Sequence, residues 1–186
     1  GMFDITHEDV QWVATGEWLT EETWNKYARE QPGGAVNHHY VKEDWIETAL
    51  KWPRMMVATD ALPAVDLRVK TNPNVAGTFS RVLGHYVRDT GLLTLSDGLA
   101  RMSLYQAQWL SQSSSSFDKK GRIQLGADAD IVIFDPIKVQ ANAAYGDPYQ
   151  PPSGIPYVVV AGQIVVKNSV VVAGVYPGKR ILGDTK

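Results

Sequence analysis

Four histidines, no cysteine and a few aspartates are the residues of this 186-residue chain that invite a chemical reading, and Asp60 has the most suggestive setting. It closes "MMVATD", residues 55 to 60, an apolar run with strand character that stops at Thr59-Asp60 and enters a Pro-containing turn at Pro63. A short carboxylate at a strand end commonly hydrogen-bonds the turn that follows. In barrels of alternating strands and helices, however, the carboxyl ends of strands face the reacting centre. There a carboxylate can take a proton from water and return it to a leaving group. The residues alone leave both readings open. His7, His38, His39 and His85 add imidazoles, but His38 and His39 are neighbours in a β-prone run. Adjacent strand residues point to opposite faces, so these two cannot both face one ion from that element. A packed or surface position is the simpler reading for each histidine, although one of the pair could line a barrel interior. Asp128 and Asp130 read as the end of a turn at Gly126 and the start of a strand.

The elements that would position Asp60 follow from spacing. "VQWVAT" (Val10 to Thr15) predicts a short strand, and "LTEETWNKYARE" a helix capped by Thr20. Acidic residues in that helix's first turn and basic ones later suit the helix dipole. A second strand is expected over Ala35 to Tyr40. A helix should follow in "VKEDWIETALKW", where Trp45, Ile46, Ala49 and Leu50 recur at helical spacing and Pro53 ends the element. Met55 to Thr59 is the third expected strand. "NPNVAGTFSRVLGHYVRDTG" is the third helix, with Val75, Phe79, Val82, Leu83 and Tyr86 on one face and Gly91 at its stop. Three β-then-α units predict parallel strands with helices between them.

After Gly91 the pattern changes. "TLSDGLARMSLYQAQWLS" reads as two short helices with Thr94 or Ser96, and then Ser103, as caps. The serine-rich stretch, residues 113–122, reads as a linker. From Ile123 onward the chain is strand-rich and predicts an antiparallel β module. Within it, Val158 to Ala161 and Ile164 to Lys167 form a hairpin with Gly162 in the positive-φ position.

Composition narrows the partners. With 44% hydrophobic residues the chain can bury a sizeable core. Its 18 Lys and Arg against 20 Asp and Glu give a net charge of −2, and no basic run favours nucleic acid. No apolar stretch approaches the ~20 residues of a membrane span, and the start lacks a secretory-signal pattern, so a soluble, cytoplasmic chain is expected. Gly1 before Met2 reads as an expression remnant, which would put the native start at Met2. The six Trp residues are expected in core or interface packing.

"MMVATDALP", "GTFSRVLGHYVRDTGLLTL", "GRIQLGADADIVIFDP", "SGIPYVVVAGQIVV" and "GVYPGKRIL" follow one another along nearly the whole chain. Together they resemble the C-terminal part of the D-aminoacylase (N-acyl-D-amino-acid deacylase) branch of the amidohydrolase superfamily. The resemblance implies an α/β fold. Residues 2–112 would be the last β/α units of an incomplete amidohydrolase (TIM-type) barrel with C-terminal helices, and residues 123–186 a β-sandwich-like module. It also implies that Asp60 is the catalytic carboxylate serving a zinc-bound water in the intact enzyme, with an N-acyl-D-amino acid as substrate. The family's His-x-His pair, its bridging ligand and its two later histidines belong to positions before the matched stretch. The chain alone is therefore expected to hold no zinc, to have no metal ligands of its own and to be inactive.

A whole barrel takes ~250 residues. Three units leave strand edges and side chains such as Met55, Met56 and Val57 uncovered, so either a homo-oligomer or the missing N-terminal half is the expected partner. Two alternatives stand beside this reading: an amidohydrolase for another linear or cyclic amide, and a non-catalytic structural or oligomerising remnant. The chain departs from the family at Ala61, where Gly is usual. It departs again at Asn72-Pro73-Asn74 in place of His-Pro-Arg, and at Ala161-Gly162 in place of Asn-Gly.

Overall fold

The computed structural model describes residues 5–61, 67 and 70–184. At the amino end, β1 (Val10–Trp12) and β2 (Val36–His38) flank helix α1 (Glu21–Glu30). Thr20 starts α1 as the sequence predicts: its Oγ1 accepts from Thr23 N at 3.2 Å, and Thr23 Oγ1 accepts from Thr20 N at 2.8 Å. Two N–H groups without intrahelical partners are thereby satisfied. Val10, Trp12 and Leu19 are buried here with Tyr27 and Val36 against them, and the Trp12 and Tyr27 rings stack with centroids 4.3 Å apart.

Two of the expected strands are oriented differently from the prediction. β1 and β2 pair antiparallel, Val10 opposite His38 and Trp12 opposite Val36, rather than lying parallel. Met55 to Thr59, the third expected strand, adopts no regular structure. The cause is common to both. A strand needs a neighbour for its N–H and C=O groups, and among the described residues no third strand lies beside β1 and β2. Those two satisfy each other as a small ribbon, and Met55 to Thr59 is held by side chains instead. The described residues therefore do not build parallel barrel strands; the incomplete TIM barrel is replaced by antiparallel sheets and helices.

Helix α2 (Glu43–Lys51) and helix α3 (Asn74–Arg81) appear where the periodicity put them. α3 runs directly into a π-helical stretch, Val82–Asp89, and Gly91 at φ +63° ends it. Leu50, Val82, Tyr86 and Leu93 form the second core, with Val57 and Met102 packed on it. The two helices expected between residues 94 and 111 are one continuous run: α4 (Leu95–Leu99), a π turn (Ala100–Leu104) and α5 (Tyr105–Leu110). Thr94 is its cap, accepting from Asp97 N at 3.1 Å; Ser96 lies in α4 and Ser103 inside the π turn, so neither caps a helix. The serine-rich stretch is ordered into a 3₁₀ turn, Ser115–Lys119, with Ser114 buried and its hydroxyl donating to Leu182 O at 2.8 Å.

The β module forms as expected. Strands β3 (Ile131–Ile133), β4 (Tyr157–Val160), β5 (Gln163–Lys167) and β6 (Val170–Val171) make an antiparallel sheet in chain order. Arg88 fastens it to the helices, donating to Ile137 O at 3.2 Å and to Gln140 Oε1 at 2.9 Å as well as to Val139 O. Val139 is fully buried at this joint. Gly84 makes the approach possible, because a Cβ there would meet Val139 O at 2.8 Å. Of the six Trp residues only Trp12 lies in the core; the other five are exposed, Trp52 at 69% and Trp109 at 64%.

The β4–β5 turn carries both Ala161 (φ +48°) and Gly162 (φ +79°) in the left-handed region, whereas the sequence placed only Gly162 there. Such a turn matches the twist of the paired strands. Alanine bears a cost in that region that asparagine largely avoids. Ala161→Asn should therefore raise stability by about 0.5–1 kcal/mol in urea unfolding, with an unchanged slope.

Candidate functional site

Asp60 ends the Met55–Thr59 segment at φ +49°, an uncommon conformation for a residue with a side chain, and it is exposed. Among the described residues its carboxylate has no hydrogen-bond partner. The Pro-containing turn expected after it lies outside the described residues. On the near side, Thr59 Oγ1 accepts from Ala61 N at 3.3 Å. Asn72, in the departure from the family triplet, turns inward to its own backbone: its Oδ1 accepts from Asn74 N at 3.1 Å.

The segment leading to Asp60 is fixed from the α4–α5 run. Val57 N donates to Arg101 O at 2.9 Å, and Gln106 Nε2 donates to Val57 O at 2.9 Å. Arg101 Nη1 reaches Trp52 O at 3.0 Å and Met55 O at 3.2 Å. Arg101 is only 7% exposed. The sequence reading missed both residues. A usable signal was present: Arg101 falls between Ala100 and Met102 in a helix whose neighbours are apolar, a poor place for a solvated charge.

The histidines separate. His38 is exposed and His39 half-buried, with its Nε2 3.3 Å from Gln11 Oε1 and its ring 4.5 Å from Trp18 and 4.4 Å from Tyr145. Burial, and then the charge of His38, push the His39 pKa down. His85 Nε2 lies 3.5 Å from Glu43 Oε1. Glu43 also accepts from Tyr86 Oη at 2.7 Å and pairs with Arg81 at 3.2 Å. The Tyr86 hydrogen bond, followed by Arg81 and His85, holds its carboxyl below the usual range against a smaller effect of burial. His7 sits in a 3₁₀ turn at the amino end. Among the described residues no three His, Cys, Asp or Glu side chains come together as metal ligands. The residues present do not fit zinc.

A cavity of about 850 Å³ opens beside Thr59, between the helices and the sheet. Its walls are mainly apolar, with Phe79, Leu83, Phe134 and Val158 among them. Asp130 borders it, but its carboxylate is already engaged, accepting from Ala161 N at 2.8 Å and pairing with Lys120. Lys120 also meets Asp128 at 2.9 Å. The pair Asp128 and Asp130 thus braces a turn against the hairpin, as the sequence suggested.

The amidohydrolase family pattern matches residues 6–166. The chain belongs to the amidohydrolase family. Among curated relatives of this amidohydrolase, D-aminoacylase of Alcaligenes xylosoxydans xylosoxydans is 33% identical over 132 residues, 71% of this chain and 25% of that protein. N-acyl-D-glutamate deacylase of the same organism is 33% identical over 131 residues, 70% and 25% of the two chains. Among solved structures, N-acyl-D-glutamate deacylase from Bordetella bronchiseptica, in complex with zinc and a phosphonate mimic of the tetrahedral intermediate, superposes with a TM-score of 0.73. It is 32% identical and is covered over 35% of its length, against 86% of this chain. The amidohydrolase chain therefore spans about a quarter of the curated relatives it matches.

The Asp130 cluster gives a pH test. The Ala161 N–H, then Lys120, hold the Asp130 carboxyl below the usual carboxylate range. The unfolded chain, near pKa 3.9, takes up the proton first, so the stability this group contributes is present above about pH 4 and lost as pH falls through the lowered folded value. The side chain is partly in water, so the effect is small. Asp130→Asn should cost about 0.5–1 kcal/mol at pH 7 in urea unfolding. The gap to wild type should close below pH 3.

Proposed function

We propose that this chain is the C-terminal part of a hydrolase that cleaves the amide of N-acyl-D-amino acids, with Asp60 as its proton-transferring carboxylate. The observation that supports it most is the chemistry left open at Asp60. The carboxylates of Asp130 and Glu43 are consumed by donors, while Asp60 stands exposed at a chain tip with no partner among the described residues. A carboxylate so placed can accept a proton from an attacking water as the new C–O bond forms at the amide carbon. It can then return that proton to the nitrogen as the C–N bond breaks, leaving a carboxylic acid and a free D-amino acid. Zinc, implied by the resemblance and present in the inhibitor-bound relative, finds no ligand set in this chain and is given no step.

The chain's share of its relatives supports a partner too. Ile123 and Leu125 stand 89% and 103% exposed beside the cavity and the free edge of β3. Surface of that kind is ordinarily covered. In this reading the remainder of the enzyme covers it. A second reading, a non-catalytic oligomerising remnant, is favoured by the same exposed residues.

Two measurements decide between these readings. A chimera in which residues 6–184 replace the matching part of the Alcaligenes D-aminoacylase should hydrolyse N-acetyl-D-amino acids in the presence of zinc. Asp60→Asn should lower its kcat by roughly 100-fold or more. A well-folded, metal-loaded chimera without activity, or one indifferent to Asp60→Asn, would sink the hydrolase reading. For the chain alone, light scattering that reports a dimer or larger species at micromolar concentration supports the oligomerising reading, and a monomer counts against it.

A further inference from the structure

We infer that Arg101 and Gln106 are positioning residues that set the place of Asp60 by clamping the main chain of the segment before it. The inference rests on the reading of Asp60 as the proton-transferring carboxylate, but the clamp itself can be tested without catalysis.

The segment has no strand neighbour, so its backbone groups depend on these two side chains. Arg101 Nη1 donates to the carbonyls of Trp52 and Met55, Arg101 O accepts from Val57 N, and Gln106 Nε2 donates to Val57 O. Gln106 Nε2 also donates to Arg101 O at 2.5 Å, joining the two halves of the clamp. Arg101 lies on the π turn Ala100–Leu104. Such widened turns recur at functional sites because they redirect a side chain and a carbonyl that an α-helix would stack.

The clamp is costly, which argues for more than packing. Arg101 is buried without a carboxylate partner among the described residues, and its Nε has no hydrogen-bond partner. An apolar side chain on the core that Met102 and Val57 already share would avoid both penalties. A guanidinium offers what an apolar residue cannot: a rigid fork able to hold two carbonyls at once. The last fixed residue, Val57, lies three positions before Asp60, whose φ of +49° persists only if its flanks are held.

Hydrogen exchange and NMR of the full 186-residue chain test this. Arg101→Met should speed exchange of the amides from Met55 to Asp60 at least tenfold and displace the Asp60 amide and carboxyl resonances toward random-coil values. The β4–β5 hairpin should keep its protection. Arg101→Lys, which still donates to both carbonyls, should restore most of the protection and the Asp60 signals. Gln106→Ala removes one donor without adding or exposing a charge, and it should loosen the same amides even if Arg101→Met fails to fold. Unchanged protection in Gln106→Ala, or equal loss in the hairpin and the Asp60 segment with no rescue by lysine, would overturn the inference. Failure of the chimera described above would instead count against the role of Asp60 and leave the clamp standing.

Discussion

An extended chain segment must find partners for its own N–H and C=O groups, and most of this structure follows from how few such partners are within reach. In a sheet the neighbour supplies them. Here β1 and β2 supply each other's in an antiparallel ribbon, β3 to β6 do so in chain order, and the segment running to Asp60 borrows donors and an acceptor from a helix. Its side chains still find the core, since Val57 packs on the Leu50, Val82 and Tyr86 cluster. Burial and main-chain pairing have thus been separated: the apolar contacts of a barrel strand remain, while its hydrogen bonds come from elsewhere.

The stretch "GTFSRVLGHYVRDTGLL", which carries much of the family resemblance, is occupied with fastening rather than chemistry. Arg81 and Tyr86 both end on Glu43 and so bind α2 to the π-helical stretch. Arg88 reaches across to residues 137–140, and Gly84 lets the two backbones meet. Each of these links joins segments roughly 40 to 50 residues apart in sequence. Such contacts carry a loop-closure cost, and several acting together are what make one unit of the helices and the β module.

Local signals were legible because local physics determines them. Thr20 and Thr94 cap helices as their residue types and spacing suggest, and a two-residue turn set the β4–β5 hairpin. Strand direction was not legible, because β-propensity says that a segment will pair and not with which neighbour. "RMMVATD" has strand composition and no strand partner. The π turns were equally hidden, since apolar residues at 3.6-residue spacing suit an α-helix and a slightly widened one alike. The position of Asp60 could be read from the chain, but its support could not. A charged side chain in a helix is ordinarily taken as solvated, and Arg101 is buried.

Carboxylates in this chain divide by what their backbone and neighbours ask of them. Asp130 sits where a turn N–H and an ammonium converge, which lowers its affinity for a proton and commits its lone pairs. Glu43 is committed in the same way by Tyr86 and Arg81. Groups held like this stabilise a fold but make poor proton carriers, since taking up a proton means giving up the bonds that hold them. Asp60 has the opposite arrangement. The scaffold fixes its main chain through Val57, three residues away, and leaves the carboxylate itself exposed and without a described partner. A group meant to gain and lose a proton at each turnover needs that separation: rigidity in the backbone that aims it, and freedom at the oxygens that react.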